Sequence, residues 1–134
     1  MKNKALAVAA AVALSGCSAP PMDELQAKLK ELAFALFASR GQATLNAALK
    51  RYEDGDYAAA EKGLRTALEQ GLPRVEQVMA HKHLAFIHCA AKRAEACRGE
   101  FRLALQVDPR ADLDPAEAGH PAWGPVFKSL AGSR

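Results

Sequence analysis

The feature that most constrains the fold of this 134-residue chain is a segment that occurs twice. The stretch GDYAAAEKGLRTALEQGLP, which begins at Gly55, aligns with KRAEACRGEFRLALQVDP, which begins at Lys92. Both copies place apolar residues at the spacing of an amphipathic helix. No segment alternates between apolar and polar residues with the period of two that indicates a strand. The sequence therefore predicts an all-α fold built from repeated helical units.

Five helices are predicted from the apolar periodicity and from residues that begin or end helices. Asp23 suits the N-cap of the first helix, and Gly41 suits the position just after its end, where φ is positive. Gly55 and Asp56 predict a tight turn, and a proline stops the last helix after Asp108. The predicted helices cover residues 23–39, 44–53, 57–69, 74–91 and 94–107.

Small residues occupy matching positions in the two copies. Ala48 and Ala60 in the first copy match Ala85 and Cys97 in the second. With the large and small apolar residues that follow, and the proline that ends the second copy, this pattern resembles the tetratricopeptide repeat (TPR). The further matching positions are Leu64 with Phe101, Ala67 with Ala104, and Pro109.

The TPR resemblance implies two TPR-like helical hairpins, with repeats at about 41–73 and 78–109, in a helical domain over residues 23–134. A single hairpin cannot cover its own apolar face, so small residues permit close approach and neighbouring helices bury the rest. A generic helical bundle with chance similarity is the alternative.

Stacked repeats need their ends covered. The N-terminal helix, residues 23–39, is apolar enough to cover one end. A C-terminal capping helix within residues 112–131 is expected at the other, where Asp114, Pro115 and Glu117 have the spacing of a helix start. The apolar residues beyond it either plug the last hairpin or form a docking element for another protein. These residues are Trp123, Val126, Phe127 and Leu130.

In TPR domains the first helix of each hairpin lines a concave groove, and the resemblance implies such a groove here. Aliphatic and aromatic anchors beside a charge suit a peptide or a helix of a protein partner. The alternative is that these residues pack under helix 23–39 or under the C-terminal segment. The predicted groove residues are Leu45, Leu49, Tyr52, Lys82 and Phe86.

The beginning of the chain has the pattern of an export signal. Lys2 and Lys4 precede an uncharged apolar run over residues 5–14, which is too short to span a bilayer of roughly 30 Å. The sequence LSGC, which ends at Cys17, resembles the lipobox of bacterial lipoproteins, in which the cysteine thiol carries a diacylglycerol thioether.

The lipobox resemblance implies a lipoprotein signal peptide over residues 1–16, an acylated Cys17 that bears palmitate-like chains, and a lipidated tether over 17–22. Ser18 follows the cysteine where inner-membrane retention uses Asp, which implies the periplasmic face of the outer membrane. Three acyl chains bind a membrane far more strongly than the marginal affinity of one. The alternative is an ordinary signal peptide with an incidental cysteine.

Cys89 and Cys97 are predicted to form a structural disulfide. They lie on opposite arms of the second hairpin, eight residues apart, where small crossing residues let the helix backbones approach. The periplasm is oxidising, which favours the bond. The alternative is two buried thiols.

The titratable residues predict no enzyme, no metal site and no cofactor. His81 and His88 share a helix face, but no histidine pair is spaced at i and i+4, and no carboxylate lies on that face. The sequence contains no Gly-rich phosphate loop and no nucleophile elbow. Removing Lys2 and Lys4 nearly balances the 18 basic residues against the 15 acidic ones. A nucleic-acid partner is therefore not expected.

The function that these patterns favour is a lipid-anchored periplasmic adaptor. It would bind or position a protein partner of a cell-envelope assembly of the secretion or pilus type, because small repeat-bearing lipoproteins serve such assemblies. The ending PAEAGHPAWGPVF resembles an accessory lipoprotein of type VI secretion. One alternative is a peptidoglycan-binding or hydrolase-accessory lipoprotein with aromatics or carboxylates in a saccharide cleft. Another is an enzyme with a metal at His81 and His88.

Overall fold

The computed structural model describes residues 21–132, and within them the chain forms six α-helices and no strand. The predicted all-α class is confirmed. The predicted signal peptide and the acylated Cys17 lie outside the described residues. None of the described helices combines the length and apolar character that a membrane span requires. The helices are α1 Met22–Glu53, α2 Tyr57–Gln70, α3 Arg74–Ala90, α4 Ala94–Val107, α5 Pro115–Ala118 and α6 Gly124–Ala131.

The first two predicted helices are one continuous helix, α1, so the prediction that Gly41 ends a helix is wrong. Gly41 lies inside α1, buried against the backbone carbonyls of Gly71 and Ala67. A Cβ atom at position 41 would collide with the Gly71 carbonyl. The glycine is therefore needed for close approach between α1 and the end of α2, which offsets its cost of about 1 kcal/mol within a helix.

α1 and α2 form an antiparallel pair joined by the predicted tight turn. Gly55 adopts a φ of +81°, and the Asp56 side chain accepts a hydrogen bond from the Ala59 amide at 3.2 Å. Ala48 is buried where the helices cross, and a Cβ atom built on Gly63 would lie 2.8 Å from the Ala48 Cβ. The alanine pattern thus located the crossing, where α2 also uses Gly63, a glycine that the repeat pattern did not single out.

α3 and α4 form the second pair, joined by a turn in which Lys92 has a φ of +60°. Cys97 and Phe101 of α4 are completely buried against Ala85 and Phe86 of α3. The chain leaves α4 at Asp108 in an extended conformation, as the following proline predicts.

The C-terminal segment packs on the second helix pair. α5 begins at the predicted Pro115, and the Glu117 carboxylate accepts the Asp114 amide at 2.9 Å. The buried Phe127 of α6 meets Phe101 edge to face, with 5.2 Å between ring centroids. Packing of this segment against the last hairpin agrees with the capping interpretation.

The first nineteen residues of α1, residues 22–40, form what we call the N-terminal arm. The prediction that this segment covers an end of the helical body is wrong, since every described side chain from 22 to 36 is exposed. The reason is the length of α2, whose last residue, Gln70, reaches back only to Thr44, where the two side chains share a 2.6 Å hydrogen bond. No described helix runs alongside the arm beyond Gly41.

Candidate functional site

Six ring side chains form a continuous line of contacts that joins both helix pairs to the C-terminal segment. The line begins at Tyr57 and Tyr52, whose ring centroids are 5.4 Å apart, and continues to His83 at 5.1 Å from Tyr52. It ends where the indole of Trp123 stacks on a second histidine at 3.3 Å. We call this line the aromatic row, and its members are Tyr57, Tyr52, His83, Phe86, Trp123 and His120.

Helix geometry explains why these rings meet. His83 and Phe86 are three residues apart on α3 and therefore share a face, with 5.5 Å between their centroids. Tyr52 lies in the last turn of α1, beside that face. Trp123 directly precedes α6 and stacks on Phe86 at 4.6 Å. The row is therefore complete only when the C-terminal segment is docked.

Two of the five predicted groove residues do not line an open groove. Leu45 is 1% exposed in the core between α1 and α2, and Phe86 is 3% exposed because Trp123 covers it. This corrects the groove prediction for both residues, and the C-terminal segment is the physical cause at Phe86. Leu49 and Tyr52 remain half-buried.

Lys82, the charged member of the predicted groove, is paired within the chain. Its Nζ atom lies 2.6 Å from the carboxylate of Glu117 on α5. The pair is mostly buried, with side-chain exposures of 13% and 22%. The ion pair therefore attaches α5 to α3 beside the aromatic row and leaves little free charge for a partner.

The accessible part of the site is a set of ring faces and edges. Tyr57 is 51% exposed, while Tyr52, His83, Trp123 and His120 are half-buried. Aromatic rings held by their neighbours offer apolar contact area at a low cost in side-chain entropy, and tyrosine and tryptophan are enriched among the residues that dominate binding energy. This surface is suited to contact with apolar groups.

Two rings of the row, Tyr52 and His83, carry no charge at neutral pH. Burial, aided by the neighbouring Tyr57 and Glu117, raises the pKa of Tyr52 above its usual value. Burial also lowers the pKa of His83, and it outweighs the opposing effects of the Met79 carbonyl and of Glu117. Both rings are neutral, so this part of the row presents dipoles and apolar surface.

A cleft of about 570 Å³ lies at the C-terminal end of the row. His120 and Phe127 contribute rings to its lining, and Asp112 and Lys128 contribute opposite charges. The cleft therefore combines apolar surface with a hydrogen-bond acceptor and a cationic donor.

A second group of polar residues connects α2, α3 and α4 away from the row. Arg65 donates from Nη2 to His88 Nε2 at 3.1 Å, and His81 donates from Nδ1 to the Glu100 carboxylate at 2.7 Å. Arg93 donates to the Glu61 carboxylate at 2.8 Å. The sequence placed no carboxylate on the face that His81 and His88 share; the structure corrects this, because α4 brings Glu100 there.

His88 is 2% exposed and its ring is neutral. A guanidinium only donates hydrogen bonds, so the Nε2 atom that faces Arg65 holds no proton. The proton lies on Nδ1, which is buried and has no hydrogen-bond partner among the described residues. Burial, reinforced by the charge of Arg93, lowers the pKa of His88.

Glu61 is the acidic centre of this group. Partial burial by itself raises the pKa of its carboxyl group, but hydrogen bonding and charge from Arg93, with a smaller contribution from the Arg65 hydrogen bond, bring the pKa below its usual value. The carboxylate is ionised and bridges α2 to the α3–α4 turn. In residues 21–132, histidines, cysteines and carboxylates form no group of three or more that is arranged to hold a metal ion.

Cys89 and Cys97 lie at disulfide distance, with Cα atoms 5.1 Å apart. Cys97 is completely buried at the α3–α4 crossing, and Cys89 packs at the edge of the same cluster. The bond would close the hairpin turn between the two helices.

Comparison with protein-family models, with curated proteins and with solved structures found no match to this chain. The geometry of the aromatic row and of the arm, together with the sequence motifs, is therefore the basis for assigning a function.

Proposed function

We propose that this chain is a non-catalytic adaptor that binds a protein partner of a cell-envelope assembly, of the secretion or pilus type. A lipid on Cys17 would hold it at the periplasmic face of the outer membrane. The lipobox-like sequence LSGC supports the anchor. The paired helices with small residues at their crossings support a TPR-like scaffold.

The observation that carries this proposal is the aromatic row. Its rings span both helix pairs, and Tyr57 at its open end is 51% exposed. A partner segment with aliphatic side chains would pack against these rings, as apolar anchors do at the centres of protein interfaces.

The experiment is recovery of partners from cells after chemical crosslinking of their membranes. The intact chain is expected to recover an envelope protein, and Tyr57→Ala is expected to reduce recovery about tenfold. Val75→Ala is the matched control, because Val75 is 73% exposed at the far end of α3 and should leave recovery unchanged. Recovery of no envelope protein above a Cys17→Ala background would argue against the proposal.

One observation favours a second candidate, a peptidoglycan-binding lipoprotein. The cleft beside His120 combines a ring with Asp112 and Lys128, which are groups that can stack on and hydrogen-bond a saccharide. Sedimentation with purified cell wall separates the two functions. Wall binding that Asp112→Ala abolishes and Tyr57→Ala leaves intact would support the second candidate.

A further inference from the structure

The N-terminal arm exposes a regular line of apolar side chains. Leu29, Leu32 and Leu36 are 57%, 62% and 68% exposed. Together with Met22 and Leu25 they alternate between spacings of three and four residues, which is the spacing of the a and d positions in a coiled coil. We call these five side chains the leucine seam.

The leucine seam lies on the opposite side of α1 from the helical body. At 3.6 residues per turn, the four leucines fall within about 40° of Leu25 around the helix axis. Gly41, Leu45 and Ala48, which pack toward α2, fall about 140–200° from it. A second helix can therefore lie along the seam without meeting the protein's own body.

The charges on the arm fit a second helix of the same kind. The positions that flank the seam are occupied by Gln26, Lys28, Ala33 and Ala35, so only one of the four is charged. In a parallel pair Lys28 faces Ala33 of the second copy, so two copies can meet along the seam with no pair of like charges across it.

The same charges are unsuited to an anionic membrane surface. Helices that lie in a membrane interface carry an excess of lysine and arginine on one face and apolar residues on the other. The arm carries three acidic and three basic residues, and Phe34, which is 70% exposed, projects from the side opposite the leucines. The ionised residues are Asp23, Glu24, Lys28, Lys30, Glu31 and Arg40.

We propose that the arm is a self-association element, in which the leucine seams of two copies of this chain pack against each other. The arm is only about 28 Å long, so the interface is small and the pairing depends on protein concentration. The arm and the aromatic row are on separate parts of the molecule. Pairing therefore leaves the row free and does not depend on the proposed partner.

The test is photo-crosslinking of the full chain in cells that express two differently tagged copies. A photoreactive benzoylphenylalanine in place of Leu29 is expected to give a product that carries both tags. The same replacement of Lys30, which is exposed on the other side of the arm, is expected to give none. Leu32→Glu should reduce the doubly tagged product at least tenfold, because it buries an unpaired charge in the seam.

Lys30→Glu is the matched control for Leu32→Glu and should leave the yield unchanged. Because no described contact joins residues 22–36 to the body, both variants should keep the helical content of the parent by circular dichroism. A crosslink from Leu29 only to lipid or only to another protein, equal yields from both positions, or no product at all would overturn the proposal.

Discussion

The close contact between Gly41 and the Gly71 carbonyl predicts the effect of a single substitution. Gly41→Ala places a methyl group against the Gly71 carbonyl, so we expect the free energy of unfolding to fall by about 1–3 kcal/mol. Gly99→Ala is the matched control, because no atom lies within 4 Å of a Cβ atom built there. Alanine should stabilise α4 by up to about 1 kcal/mol. Urea unfolding of both variants measures the contrast, and equal losses would contradict the close-approach role of Gly41.

His88 predicts the pH dependence of stability. Its pKa is lowered in the folded state, so the unfolded chain binds the proton first as the pH falls. Stability is therefore complete above the ordinary histidine pKa of about 6.5 and decreases below it, by up to about 1.4 kcal/mol per pH unit for each such group. His83, whose pKa is lowered as well, contributes in the same direction.

The check is urea unfolding between pH 7 and pH 5. Between pH 7 and pH 5, the free energy of unfolding of His88→Gln should fall by less than that of the parent chain. His83→Gln should reduce this fall independently. If both variants lose stability with the same pH slope as the parent, the assignment of neutral, buried histidines is wrong.

The sequence could not predict contacts between polar side chains of different helices. His81 and Glu100 are nineteen residues apart and join different helices, so no periodicity connects them. Their contact depends on the rotation of α4 against α3, which the packing of Cys97 and Phe101 determines. The proximity of Cys89 and Cys97 was predictable, because a short hairpin turn leaves the ends of the two helices that it joins little freedom.

At the scale of helices, α6 is predicted to stabilise the second helix pair. Phe127→Ala removes a buried ring from its contact with Phe101 and should cost about 3–4 kcal/mol. Leu103→Ala on α4, where the side chain is 41% exposed, should cost less than about 1 kcal/mol. Thermal unfolding of the two variants measures the difference, and comparable losses would mean that α6 does not act as a cap.

Helix boundaries were predictable where the backbone preference of a single residue determines the turn or the helix start. Gly55 at a turn and Pro115 at a first helical position were assigned correctly, because positive φ and a missing amide suit those positions. Gly41 was misassigned because a glycine that ends a helix and one that admits a neighbouring backbone look the same in a sequence. The apolar arm was misplaced for a similar reason, since periodicity shows that a face is apolar but not what it contacts.

The aromatic row and the leucine seam are two separate surfaces of the molecule. The row depends on the docked C-terminal segment, and the seam lies at the other end of the fold. The tether between Cys17 and Met22 spans at most about 17–18 Å, so an acylated Cys17 would hold the arm close to the membrane and the row farther away. Anchoring would also raise the local concentration of arms and so favour pairing.

Export and the cysteine pair together give a prediction for the whole molecule. If the chain is exported through its first sixteen residues, Cys89 and Cys97 reach an oxidising compartment and form their bond; a chain that lacks residues 1–16 stays in the cytosol and keeps both thiols. Alkylation of whole-cell extracts with a mass-tagged maleimide should shift the truncated chain by three tags, at Cys17, Cys89 and Cys97, and the full chain, whose Cys17 thiol would be acylated, by none. Reduction of the purified full chain should then lower its free energy of unfolding by about 2–3 kcal/mol, as expected for a loop of this length. Equal labelling of Cys89 and Cys97 in the two chains would disprove the link between export and the bond. It would mean that export does not change the redox state of these thiols.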